Sequence, residues 1–503
     1  MKLEASFAYP FEKYSPDSFP GEILTAFTVY AAGNEREGCQ LLLRSDTDLC
    51  GLTADCTLDG QSQVEVSVYL EKTVTNPTKD GKTVTHPDGL IPLGKNDGFS
   101  LTAGKTQGLY IRFDVPVKTL AGERKAVIRL TDGKKEILSL PILLHVWNFS
   151  YSEATACTTA VGLYPEFLEK YASGPVENLY KTYYDTMLAN RVCPYTLPYD
   201  LLDSRADAYM NCERVTGFCV PYDRDDDTIR AYYRKLSSNP VWMDKAYFYP
   251  VDEPTTPELM QKLKDACKRL ERLFPGYQIV VPYFTNITLP DGREQMDVMA
   301  EDVNIWCPKM FLYTDPADLG RVEGAEAVPV KDSTMAERLR LEQAGGDKVW
   351  WYVCWEPSYP YANLFTDMQG FFHRFLFWQQ KMEKVDGFLY WGADYWKYVE
   401  NPWESMETVP DLSKTVSGDG SLLYPGAPVG FPDAALSSLR LEAVRDGIED
   451  FELLSMAEKA FGREYVQNKI AKMYRSVCEY THDGRAMMEL RRSVAEDLEK
   501  TAE

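Results

Sequence analysis

The hydrophobic pattern of the chain changes character twice. Over residues 1 to about 148, runs such as ILTAFTVYAA, CQLLLRS, VEVSVYLE, GLYIRFDVPV, KAVIRLT and ILSLPILLHVW are β-branched or aromatic and often alternate, with Gly, Asp, Asn and Pro between them. Short strands with no helical pattern between them predict a β-sandwich over residues 1–150. Within it the polar stretch KTVTNPTKDGKTVTHPDGL, residues 72–90, predicts a surface hairpin or long loop.

From about 155 to 432, short apolar strands alternate with helical stretches. TAVGLY precedes VENLYKTYYDTMLANR; VCPYTLPYD and FCVPYD precede DDTIRAYYRKLSS; KAYFYPVDEP precedes TPELMQKLKDACKRLERLF and QIVVPYF. VNIWCPKMFLY, VWWYVCWEPSYPY and GFLYWGADYW complete the strand series. Buried-type strands alternating with helices predict a parallel sheet, and about eight of them a (β/α)8 TIM-like barrel over 151–432. The stretch 162–222 fits two strands or three. From 433 the apolar residues recur at three and four, as in DAALSSLRLEAVRDGIEDFELLSMAEKAFG, which predicts a barrel-closing helix and a helical tail over 433–503. The expected fold class is thus multi-domain: sandwich, barrel, helical extension.

In such a barrel the strand C-terminal ends face the active site. Four ends carry polar and aromatic residues: VDEP with Asp252 and Glu253, behind Tyr249; IWCPKM with Trp306; WWYVCWEPSYPY with Tyr352, Trp355 and Glu356; and LYWGADYW with Tyr390, Trp391, Asp394, Tyr395 and Trp396. Acids ringed by Trp and Tyr point to a glycosidase cleft. Each has a bland alternative. Asp252 could cap the helix that begins after Pro254, a role for which Thr255 and Thr256 compete. The indoles could be core, and Glu356 before Pro357 is evenly balanced. On the closing segment, Glu442 lies three and four residues before Arg445 and Asp446, so some of Arg440, Glu442, Arg445 and Asp446 share a helix face and fit an ion-pair network, with Arg440 or Glu442 reaching a sugar hydroxyl as the sharper alternative.

Glycoside cleavage needs a proton donor of raised pKa and a negative partner for an oxocarbenium-like centre. A Glu beside an ionised Asp in an aromatic cleft gains a raised pKa from repulsion and desolvation together. Neighbours on a strand point opposite ways, so both acids reach substrate only where the strand has ended, as Pro254 suggests. Adjacent carboxylates are too close for an inverting pair, which stands about 6.5–9.5 Å apart.

Composition narrows the field. The 503 residues suffice for two or three domains, and the 13% aromatic content suits carbohydrate stacking as well as a large core. A net charge of −22 with no basic stripe argues against nucleic acid and anionic membranes. The 11 cysteines lack a CxxC pair and suit buried free thiols. The four histidines, His86, His145, His373 and His482, have no metal-binding spacing, so no metal is expected. There is no P-loop, Rossmann glycine fingerprint or GxSxG elbow either, and no cofactor is expected. The opening residues show no apolar signal core and no apolar run spans a membrane, so the chain as given reads as cytoplasmic.

Several segments resemble glycoside hydrolase family 123 and its associated domain of unknown function. They are GNEREGCQLLL (33–43), LYIRFDVPVKTLAGERKAVIRL (109–130), VDEP (251–254), GFLYWGADYW (387–396), NPW (401–403), GDGSLLYPG (418–426) and SLRLEAVRDGIEDFELL (438–454). The resemblance implies an exo-acting β-N-acetylgalactosaminidase-type enzyme, retaining and substrate-assisted. Asp252 would orient and stabilise the substrate's 2-acetamido group and Glu253 would be acid/base. The implied partner is a glycan with a terminal β-linked N-acetylhexosamine. Two alternatives stand beside it: Glu356 as protein nucleophile on a non-acetamido sugar, and a non-catalytic glycan-binding protein.

Overall fold

A computed structural model describes residues 2–60, 63–78, 80–133, 135–410 and 415–501. Its first part, Leu3–Ala8 to Lys135–Ser150, is built from strands alone. They form two five-stranded sheets, whose facing side chains, Leu41, Leu43, Ile111, Ile128 and Leu144 among them, share one apolar core. Alternating apolar positions on both sheets dictate this packing. Pairing is antiparallel except between Phe27–Gly33 and Lys135–Ser150, which run parallel.

The stretch expected as a surface hairpin is a hairpin, Glu65–Pro77 with Thr83–Leu93, but it is not confined to the surface. Val74, Asn76 and Asp88 are fully buried against the second half of the chain. The Asn76 side chain accepts from the Met406 N–H at 2.7 Å and donates to Thr366 Oγ1 at 3.2 Å. Its polar residues serve an internal contact rather than solvent.

The second part carries a parallel sheet in the spatial order Thr158–Val161, Gly387–Tyr390, Lys348–Val353, Ile305–Pro308, Val280–Tyr283. A parallel pair joins Phe218–Cys219 to Ala246–Tyr247. Single parallel bridges link Val161 to Pro194 and Phe248 to Ile279, and Cys219 N–H donates to Tyr195 O at 2.7 Å. Helices Val176–Ala189, Asp226–Leu236, Pro257–Leu273, Met335–Gly345 and Gly370–Glu383 lie between these strands in sequence.

Leu439–Phe461 is enclosed on nearly all sides in its first four turns and ties the parts together. Gly447 is required there, because a Cβ would lie 2.4 Å from the Phe377 ring and 2.7 Å from the Arg374 carbonyl. Arg374 Nε donates to Asp450 at 2.7 Å and Nη2 to Glu37 of the first part at 2.9 Å. Arg491, on Gly484–Glu499, reaches Asp450 at 2.6 Å and also pairs with Glu35. All 11 cysteines are free thiols.

Candidate active site

A cleft of about 860 Å³ opens where the strands end. Tyr164, Tyr195, Tyr249, Asp252, Glu253, Tyr352, Trp355, Trp391 and Tyr395 line it, at the ends of, or in the loops after, Thr158–Val161, the bridge at Pro194, Ala246–Tyr247, Lys348–Val353 and Gly387–Tyr390. A second cavity of about 870 Å³ lies at the opposite, strand-starting end, lined by Thr158, Gly217, Lys245, Lys348 and Asp386. Its rim also holds acids and aromatics, among them Asp244, Asp347, Tyr247 and Trp350, but ligands of parallel sheets bind beyond the carboxyl ends of the strands, where the first cleft lies.

Asp252 and Glu253 sit just past the strand Ala246–Tyr247 and its bridge at Phe248. Asp252 is not the helix cap. Thr256 takes that role at Pro257–Leu273, its side chain accepting from Leu259 N–H. Instead the Tyr249 hydroxyl donates to Asp252 Oδ1 at 2.7 Å. Glu253 has φ +40°, a left-handed conformation that side-chain-bearing residues seldom adopt. This kink lets two consecutive residues both line the cleft, which a continuing strand would forbid.

The two acids occupy different surroundings. Asp252 is exposed, whereas Glu253 is half-buried. The Tyr352 hydroxyl donates to Glu253 Oε1, and Lys309 Nζ lies 4.0 Å from the same oxygen. Burial pushes the Glu253 carboxyl above its ordinary range; Tyr352 and Lys309 pull it back, while Asp252 and Glu356 add to the rise. Desolvation therefore contributes more than the repulsion from Asp252.

Trp391 lines the cleft and is held from behind. Its Nε1–H donates to Asp419 Oδ2 at 3.0 Å, and the Tyr390 hydroxyl donates to Oδ1 at 3.0 Å. Burial pushes Asp419 up to about 6. Gly420, at φ +69°, must be glycine, since a Cβ would lie 2.3 Å from the Trp391 ring. The GDG segment thus positions a cleft wall. The Tyr395 ring packs edge-on to Trp391 at 4.6 Å.

Five expected cleft residues lie elsewhere. Trp306 is fully buried and donates to Asp347 at 2.8 Å; on its strand, Ile305 and Cys307 face the inner cluster and Trp306 the outer one. Trp396 is buried with its Nε1–H on Ser421 Oγ at 2.9 Å. Asp394 is fully buried and accepts the Tyr164 N–H at 3.0 Å. Arg440 pairs with Asp88 at 2.7 Å and donates to the Leu364 and Gly418 carbonyls, so it joins the hairpin to the second part. Glu442 is bound by Arg445, by Arg112 at 3.3 Å and by Ser437 Oγ at 2.7 Å. The ion-pair alternative describes these last two. Glu356 lies beside the cleft without lining it, its carbonyl accepting from Cys354 N–H at 3.0 Å.

Residues 234–457 match the family model described as the glycoside hydrolase 123 catalytic domain. Over that segment the chain is similar to the catalytic domain of glycoside hydrolase family 123. The structure of a family 123 glycoside hydrolase from Clostridium perfringens, described for glycolipid glycan hydrolysis, covers 100% of this chain and 99% of its own, with TM-score 0.70 and 14% identity. A family 39 glycoside hydrolase from Bacteroides cellulosilyticus WH2 covers 84% of this chain and 81% of its own at 9% identity, with TM-score 0.34. No curated protein matches. The matched segment spans the Asp252–Glu253 pair, the Trp391–Asp419 wall and the helix Leu439–Phe461 up to residue 457.

Proposed function

We propose that this glycoside hydrolase is an exo-acting β-N-acetylhexosaminidase of the N-acetylgalactosaminidase type, working by substrate assistance. The observation that carries the reading is the divergence of the cleft pair. Asp252 is exposed and fixed through one oxygen by Tyr249, and Glu253 is recessed with its carboxyl pushed up by burial.

In the first step the substrate's acetamido oxygen attacks the anomeric carbon while Glu253 gives its proton to the departing glycosidic oxygen. The second carboxylate oxygen of Asp252 accepts the acetamido N–H and offsets the charge of the forming oxazoline. In the second step Glu253, now a base, takes a proton from water, whose oxygen attacks the same carbon and reopens the ring, with net retention. Trp391, Trp355 and the cleft tyrosines supply faces for the sugar and its aglycone. A glycolipid glycan, on which the similar Clostridium perfringens enzyme acts, is a fitting class of substrate.

The same reading takes the parallel pairings as a (β/α)8-type barrel, supported by the bridges at Pro194 and Ile279, which extend the five-stranded sheet on either side. It takes residues 1–150, 151–432 and 433–503 as sandwich, barrel and closing helical extension.

A panel of aryl β-GalNAc, β-GlcNAc and β-Gal substrates tests the mechanism. Release only from acetamido sugars, with inhibition by a thiazoline that mimics the oxazoline, is expected. Efficient cleavage of the β-Gal substrate would refute substrate assistance, and binding without cleavage of any would mark a glycan-binding protein.

A further inference from the structure

Lys309 follows the strand Ile305–Pro308, anchored by its main-chain N–H on the Tyr283 carbonyl at 2.8 Å. Its side chain is 3% exposed and does not line the cleft. An ammonium taken out of water requires compensation. Three aromatic faces supply part of it: Phe284 at 4.9 Å, Tyr352 at 5.5 Å and Trp355 at 5.5 Å. Among the described residues its ion-pair partner is Glu253, 4.0 Å away.

Lys309 and Tyr352 approach the same oxygen, Oε1. That leaves Oε2 as the oxygen for proton transfer. We propose that Lys309 is a positioning residue for Glu253, its caged ammonium orienting the carboxyl and limiting how tightly it holds its proton. This rests on the reading of Glu253 as acid/base.

The groups that bear on Glu253 come from three stretches. Asp252 precedes it in its own loop; Tyr352, Cys354 and Glu356 belong to Lys348–Val353 and the turn after it; Cys307 and Lys309 belong to the end of Ile305–Pro308. Lys309 is the one cation in that set. With it removed, burial, Asp252 and Glu356 act against the Tyr352 hydrogen bond alone, so the proton is held to higher pH.

The test compares wild type with Lys309→Met, Lys309→Gln and Lys309→Arg in two readouts. One is the alkaline limb of kcat/KM on an aryl β-GalNAc substrate. The other is infrared pH titration of the carboxylic acid C=O band that Glu253→Gln abolishes. Both midpoints should rise by about one pH unit in the two neutral variants and return in Lys309→Arg. KM should stay within about twofold, while kcat on the acid-side plateau falls by up to about tenfold, as expected of a weaker acid. Unmoved midpoints in the neutral variants, or a C=O band untouched by Glu253→Gln, would overturn the proposal. So would failure of both neutral variants to fold, since the lysine would then be scaffold. If no aryl glycoside is cleaved, the functional reading fails, and the infrared midpoints still decide for or against Lys309.

Discussion

Around the helix Leu439–Phe461, Glu442 and Asp450 are enclosed and each is held by two guanidinium groups: Arg445 and Arg112 for the first, Arg374 and Arg491 for the second. At the cleft, Asp252 has a tyrosine hydroxyl, and Glu253 has a tyrosine hydroxyl and an ammonium 4.0 Å away. Burial pushes both of these enclosed carboxyls upward, but their arginines outweigh it, so Glu442 is held at about 2 and Asp450 below its ordinary value. Glu253 has no such fork, and its carboxyl ends above its ordinary value. At Glu442 and Asp450 the paired cations outweigh burial, whereas burial prevails at Asp446 and Glu449 on the same helix despite their arginines; what sets Glu253 apart is that it lines the cleft, where its proton can be exchanged.

The largest effect should come from removing the exchangeable proton. Glu253→Gln is expected to lower kcat on an aryl β-GalNAc substrate by about 10²–10⁴-fold without lowering the thermal midpoint. Asp252→Asn should cost less, on the order of 10²-fold, because it removes a charge that steadies the intermediate rather than the proton itself. Normal turnover by both variants would erase the distinction between the two regions.

The opposite substitution probes the struts. Arg374→Met leaves Glu37, Asp446 and Asp450 short of a cation in the interior. A loss of about 3–5 kcal/mol is expected by urea unfolding, since breaking a buried pair strands its partner. The KM of the folded protein should stay at the wild-type value. A loss of activity with unchanged stability would mean that the helix acts on the cleft directly.

The sequence carried some of this organisation and hid the rest. Helices such as Asp226–Leu236 and Pro257–Leu273 were legible because their apolar spacing and the proline at the start of the second are local signals. The VDEP acids were legible as a pair, but not the left-handed turn at Glu253 that lets both face the cleft. IWCPKM marked the right strand end and the wrong residue. An indole stands out by size, yet alternation turns Trp306 outward, and the cation that reaches the site is Lys309. Asp88 and Arg440 lie 352 residues apart, and no local pattern announces such a partner. The GDG motif was visible without its role, because that role depends on Trp391 folding back against Asp419.

Two indoles sharpen the comparison at smaller cost. Trp391→Phe removes a cleft face and the hydrogen bond to Asp419, and should lower kcat/KM about tenfold with most of the change in KM. Trp306→Phe should leave kcat/KM alone and cost about 1–3 kcal/mol of stability, since it empties part of a packed layer and strands Asp347. A reversal of these two outcomes would return Trp306 to the cleft.

The smallest expected effect concerns an enclosed acid that has no ion-pair partner among the described residues. Glu71 is 3% exposed, one of its oxygens lacks a hydrogen-bond partner, and burial pushes its carboxyl up to about 8. Its folded value lies above the unfolded value of about 4.3, so the folded chain binds this proton more tightly. That contribution to stability is complete below the unfolded value and is lost as pH rises through about 8. Glu442 has the opposite sign: its contribution is present above the unfolded value and is lost as pH falls towards about 2. Glu71→Gln cannot ionise, so its melting temperature should match wild type near pH 5 and exceed it by about 2 °C at pH 9. Glu442→Gln should melt below wild type at pH 7, with the gap closing in acid. If Glu71→Gln instead tracks Glu442→Gln, a cation compensates Glu71, and an enclosed acid in this chain is a strut wherever it occurs.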